Sequence, residues 1–236
     1  MDGWGGSDEL PIGTSARDVL ERASELADRG EYEESLAVAE RALELDPAVP
    51  AAHVAKAWAL ENLGRDRLAE AGEAYRAALR VDGGSLWAAA GLATVAERLG
   101  DRQEAARLFT HVAETPVATD EDDADVLEIV GWSRFKAGRF EEAQALFRQA
   151  LGVDPSLLAV HLDLALALLF SGKKDEALGE YRAILADESP QVRAHAAVAL
   201  DDLEHAVDGD LSVGPAGAQA AAELLRSAAA GDPGAR

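Results

Sequence analysis

The chain has 236 residues and a formal net charge of −22, and so acidic a field repels phosphate backbones and anionic lipid, which sets nucleic acid and membranes aside as partners. Cysteine is absent, so neither a disulfide framework nor a thiolate metal site is available, and a reducing cytoplasm is the natural compartment. Hydrophobic residues at 48% are ample for burial, and acidity on this scale also keeps an Ala-rich helical protein in solution. Eighteen of the 22 basic residues are Arg, a bias associated with GC-rich bacterial genomes.

Residues 1–15 are acidic and Gly-rich, with Pro11, and read as a mobile arm whose one aromatic residue is Trp4. The arm has no basic start and no apolar run, so a secretory signal is not expected there. From Ala16 a helical pattern begins, and turn glycines fall at Gly30, Gly64, Gly100, Gly138 and Gly172, separated by 34, 36, 38 and 34 residues. A period of this size predicts a stacked array of helix pairs, because a unit so short cannot bury its own apolar face. The units run 16–49, 50–85, 86–119, 124–157 and 158–191, with an acidic linker at 120–123.

Each second helix carries a small residue followed by a larger one four positions on: Ser35 and Ala39, Ala71 and Tyr75, Ala105 and Phe109, Ala143 and Phe147, Ala177 and Tyr181. The first of these pairs is the exception in size. Asp46-Pro47, Asp82-Gly83, Thr115-Pro116, Asp154-Pro155 and Ser189-Pro190 close these helices, since Pro cannot continue a helix and biases its predecessor toward extended geometry. Two residues are extra between Gly64 and Ala71, so the loop around Arg65, Asp66 and Arg67 should be longer than its counterparts. Residues 120–125 hold five carboxylates in six positions but lack the Gly turn and terminal Glu of a calcium loop, and read as a solvated helix start. The most apolar segment, 157–170, is too short to span a bilayer and is interrupted by His161 and Asp163. Beyond Pro190 the pattern degrades; residues 192–233 read as an irregular sixth pair capping the stack, and 234–236 as a frayed tail.

The pattern resembles the tetratricopeptide repeat family. The fourth unit matches at Leu127, Val130, Gly131, Arg134, Ala143, Phe147, Ala150 and Pro155, and the first at Val19, Arg22, Ala23, Leu26, Ser35, Ala39, Ala42 and Pro47. The resemblance implies an all-α fold, a right-handed α-solenoid of antiparallel helix pairs with five repeats and an irregular C-terminal pair as cap. It also implies a ligand surface, because in this family the first helices line the inside of the superhelix. Their second, fifth, ninth, twelfth and thirteenth positions face the ligand.

Carried onto this chain, those positions give Val54, Trp58 and Asn62 in the second unit and Trp87, Thr94, Glu97 and Arg98 in the third. The fourth unit gives Glu128, Trp132, Phe135 and Lys136, and the fifth gives Leu162, Leu166, Leu169 and Phe170. The Lys and Asn by which some members clamp acidic C-terminal tails are missing at the fifth and ninth positions. A protein or peptide segment with apolar or aromatic side chains, and with Arg or Lys to meet the acidic rim, fits better.

Catalytic signatures are absent: there is no Gly-x-Ser-x-Gly, no phosphate-cradling loop, no dinucleotide fingerprint and no His-Glu-x-x-His. His53, His111, His161, His195 and His205 are scattered without ligand spacing and read as structural, with no metal or cofactor expected. The expectation is a non-enzymatic interaction scaffold. Self-association into a homo-oligomer, filling of the groove by the chain itself and, less favoured, a small-molecule carrier or enzyme accessory are the alternatives.

Overall fold

A computed structural model describes residues 16–118, 123–208 and 215–231, so the expected arm, most of the acidic linker and the tail lie outside the described residues. Among the described residues the chain forms helices and no strand. They run in pairs: α1 (Ala16–Asp28) with α2 (Tyr32–Leu45), α3 (Pro50–Leu63) with α4 (Leu68–Val81), and α5 (Leu86–Arg98) with α6 (Arg102–Ala113). After these come α7 (Ala124–Lys136) with α8 (Phe140–Val153), α9 (Leu158–Phe170) with α10 (Lys174–Ile184), and α11 (Pro190–Asp208) with α12 (Pro215–Ala230).

The boundaries follow from local chemistry. At Gly138 φ is +77°, and the turn closes with Gly138 N–H donating to Phe135 O at 2.9 Å and Arg139 N–H to Arg134 O at 2.8 Å. Such a left-handed residue ends a helix with its last carbonyls satisfied. The second helices end differently. Asp46, Asp82 and Asp154 each turn a side-chain oxygen back onto the amide two residues on, at 2.9, 2.9 and 2.8 Å, which holds the chain in a tight turn ahead of the next first helix. The two extra residues of the second unit form a 3-10 turn, Arg65–Arg67. Asp123 caps α7, accepting from the amides of Asp125 and Val126 at 3.1 and 3.2 Å, so the acidic run does start a helix.

Packing rests on large side chains set against small ones. Tyr75 is 2% exposed and its ring occupies the space beside Gly91, where an added Cβ would stand 2.2 Å from Cζ. That contact joins α4 to the next unit, whereas Phe147 fills the space beside Gly131 on its own partner helix, with Cε1 at 2.8 Å from an added Cβ. Each first helix of units two to five packs on the second helix before it as well as on its own partner, so the buried residues form a core that runs lengthwise. His53 and His161 repeat one tie, each placing Nε2 on the carbonyl of a Pro six residues earlier, Pro47 at 2.9 Å and Pro155 at 3.1 Å.

The sixth pair is irregular, as expected, in a particular way. α12 packs on α10 and α11, but α11 lacks the packing on α10 that every other first helix has on its predecessor. Instead α11 lies across α9 and reaches α1, where Ala194 Cβ stands 2.9 Å from the position of a Cβ on Gly30. Its 19 residues make it roughly 28 Å long at ~1.5 Å per residue, enough to cross the assembly. Val192, Ala196, Leu203 and Ala206 are buried in the core shared with α9 and α12.

Two helical glycines should respond oppositely to alanine. Gly91→Ala forces the Tyr75 ring out of its seat and should cost about 1–3 kcal/mol. Gly152, with nothing within 4 Å of an added Cβ, should gain about 0.5–1 kcal/mol as Ala through the helix propensity alone. Urea unfolding followed by circular dichroism measures both.

Candidate functional site

The five first helices converge on α11. It packs on α9 and α1, is ion-paired to α5 through Arg98 and Asp201, and brings Asp202 within electrostatic reach of Glu61 on α3 and Lys136 on α7. α11 thus lies against the face shared by the first helices, the one expected to be the inner face.

At the centre of that face Arg98 bridges two carboxylates. Its Nη1 donates to Glu61 Oε1 at 3.3 Å and to the Glu61 carbonyl at 3.4 Å, while Nη2 stands 3.1 Å from Asp201 Oδ2. Tyr75 Oη donates to Glu61 Oε2 at 3.1 Å. Beside it, Lys136 on α7 is ion-paired to Glu97, the neighbour of Arg98 on α5, and its Nζ lies 5.5 Å from the ring centroids of both Phe109 and Trp132. A cation so held, with its side chain 5% exposed, is fixed by charge and by aromatic faces together.

Burial raises the carboxylates gathered on this face. Burial pushes Glu61 up to about 7, against the pull of Arg98 and the Tyr75 hydroxyl, with Asp202 adding to the rise. Burial likewise pushes Glu128 up to about 7, helped by the neighbouring charges of Asp125 and Asp28. Asp202 rises to about 6 by burial, opposed by Lys136, Arg98 and His205. Asp163 is raised well above the ordinary carboxylate range by burial, with Glu128 and Asp202 as like-charged neighbours.

The fifteen residues expected to face a ligand divide into two groups. Val54, Trp58, Asn62, Trp87, Thr94, Glu97, Arg98, Glu128, Trp132 and Lys136 are half-buried along the inner face. Several are already engaged: Trp58 packs edge-on against Tyr32 at 5.7 Å, Trp132 stacks on Phe135 at 5.4 Å, Asn62 donates to Trp58 O, and Thr94 to Ala90 O.

Phe135, Leu162, Leu166, Leu169 and Phe170 are buried, none above 7% exposed, and this corrects the expectation that they face an open groove. Phe135, Phe140 and Phe170 form one aromatic cluster with centroids 5.4–5.8 Å apart, and α11 covers α9. The apolarity of 157–170, broken only at His161, Asp163 and the small residues around them, was the available signal, since a helix apolar on most of its sides is covered on most of them.

Glu61, Asp163, Asp201 and Asp202 were missed. Glu61 occupies the twelfth position of its helix, the place that Glu97 fills one unit later, so the same positional rule reaches it. Nothing local marks Asp201 and Asp202, which matter because a helix far along the chain lies across Arg98. Among the described residues no group of three His, Asp or Glu side chains is placed to hold a metal ion, and no helix is long and apolar enough to cross a membrane.

Two models of the tetratricopeptide repeat match the chain, over residues 20–85 and 134–200, together more than half of its length. No curated protein matches it. Among solved structures, TTC0263, a thermophilic TPR protein of Thermus thermophilus, is similar at 23% identity and a TM-score of 0.54, covering 79% of this chain and 99% of that one. PilF of Pseudomonas aeruginosa is similar at 21% identity and a TM-score of 0.45, covering 83% and 94%. YrrB, a TPR protein with an unusual peptide-binding site, is similar at 19% identity and a TM-score of 0.39, covering 83% and 91%.

Two measurements check the electrostatics. Glu61, Glu128 and Asp202 hold protons in the folded chain at pH values where the unfolded chain has released them, so unfolding sheds protons and stability falls as pH rises. The contribution is full below the ordinary carboxylate range and is lost as pH passes through about 7. Melting temperature should accordingly climb from pH 8 to pH 5, by roughly 2–4 °C per kcal/mol in a chain of this size. Arg98→Met leaves Glu61 buried without its cation and should cost about 3 kcal/mol at pH 8. The loss should shrink at pH 5, where Glu61 is neutral.

Proposed function

This chain belongs to the tetratricopeptide repeat family, and from that premise we propose that it is a non-enzymatic scaffold holding a segment of another protein against the inner face of its first helices. The observation that carries the reading is that this face already accommodates a helix, α11, between apolar walls and the polar points Arg98 and Lys136. Trp58, Trp87 and Trp132 border it and stay half-buried, so each keeps surface for a partner to cover. Glu97, Arg98, Glu128 and Lys136 set the polarity of the bound segment. The family and the helical architecture support protein binding in general; the choice of this face rests on the placement of those side chains.

Trp58→Ala and Trp132→Ala each remove an aromatic anchor and should weaken capture of the partner by about 2 kcal/mol, roughly thirtyfold in affinity. The measurement is affinity capture by the full chain and by both variants, with circular dichroism confirming that each variant is folded. Undiminished capture by both would refute the inner face as the binding surface.

A further inference from the structure

The inner face holds a row of carboxylates that the helix lying on it does not answer. Asp28 on α1 is a charge neighbour of His195 on α11 and of Glu128 on α7; Asp163 on α9 is a neighbour of Glu128 and of Asp202 on α11. Among the described residues the carboxylates of Glu128 and Asp163 have no hydrogen bond and no ion pair, and every charge neighbour of either is another carboxylate. His195 and Asp202 both reach this row, and positions 195, 199 and 202 share one stripe of a helix. The stripe that α11 turns toward the carboxylates therefore reads His195, Ala199, Asp202, which offers them no permanent cation and adds a further negative charge.

The other side of the contact is better matched. Asp201 meets Arg98 at 3.1 Å, and Asp202 draws on Lys136. The apolar fit is incomplete: α11 buries Val192, Leu203 and alanines and half-buries Leu200, while Trp58, Trp87 and Trp132 remain partly uncovered. α11 also forgoes the packing on α10 that a stacked repeat would make. A helix is seated in the groove with complementary charge where Asp201 meets Arg98, and with no permanent cation beside Glu128 and Asp163.

Building on the proposed function, we infer that α11 is an in-cis occupant of a groove that accepts an amphipathic helix from a partner, one with basic residues where α11 carries His195 and Ala199 and an acidic residue opposite Arg98. Binding exchanges one helix for the other. The partner's cations neutralise Glu128, Asp163 and Asp28, its larger apolar side chains cover the tryptophans, and the α11–α12 hairpin leaves its seat.

The test uses the full chain and a 19-residue peptide with the sequence of α11 carrying His195→Lys and Ala199→Lys, compared with the unaltered peptide. Fluorescence anisotropy of the labelled peptides gives affinity, and hydrogen exchange by mass spectrometry reports on α11 within the chain. The substituted peptide should bind about tenfold tighter than the unaltered one, and the α11 amides should exchange about tenfold faster when it is bound, while α5 and α7 keep their protection. Glu128→Gln combined with Asp163→Asn should abolish the preference between the two peptides.

Equal affinities, no binding of either peptide, or a bound peptide that leaves α11 protected would each overturn the inference. Capture of a partner that depends on Trp58 and Trp132 while α11 stays protected would keep the scaffold reading and reject the exchange. Displacement of α11 with capture indifferent to both tryptophans would do the reverse.

Discussion

Contact between a ring and a bare backbone sets the geometry of this molecule. Tyr75 occupies the space that a side chain at Gly91 would need, and Phe147 does the same at Gly131. Where a large residue meets a glycine, two helices are held at one separation and one angle, because close-packed interiors deform little. The first contact locks one unit onto the next and the second locks the two helices of a single unit, so both stacking and pairing are fixed at these points. The positions that end up inside are consequently set by packing on the opposite side of each helix, and the chemistry of the inner face can vary without disturbing the stack.

That freedom is spent on charge. Arg98 joins Glu61 to Asp201, and Lys136 joins Glu97 while resting on two aromatic rings. Burial strengthens these pairs and also makes each unpaired carboxylate costly, which is why Glu128 and Asp163 sit above their ordinary range. Exposed pairs on the second helices, such as Arg107 with Glu104 at 2.7 Å, are worth little by comparison, since water screens them. The electrostatics that matter here are confined to the surface facing α11.

Much of the fold was legible because repeat packing is local. Turn glycines, Asp-Pro closures, the lengthened loop at Arg65–Arg67 and the Asp123 cap all act within a few residues of themselves, and each appears where its chemistry requires. The inner face was legible only in part. Positional reasoning pointed to Arg98, Lys136, Glu97 and Glu128 and counted filling of the groove by the chain itself among the alternatives, but it did not single out α11 as the segment that lies there. The path of α11 depends on where a chain leaves α10, and no periodic signal encodes that. Phe135 was misread for a related reason: the aromatic cluster it joins is assembled from two units, with Phe140 and Phe170 as its other members.

The most apolar helix and the most acidic stretch of the inner face constrain one another. Left uncovered, Leu162, Leu166 and Leu169 would present an apolar strip in a chain whose net charge is −22, and such a strip needs a cover to stay out of water. α11 provides one, although Asp202 then lies beside Asp163 in a poorly solvated place. Any ligand for this face must therefore be compared with α11 and not with water. Its apparent affinity is its intrinsic affinity reduced by the fraction of chains in which α11 is unseated. Protons that relieve the repulsion between Asp202 and Asp163 hold α11 more firmly, so acid strengthens the internal helix at the expense of a competitor whose binding relies on charged carboxylates in the wall.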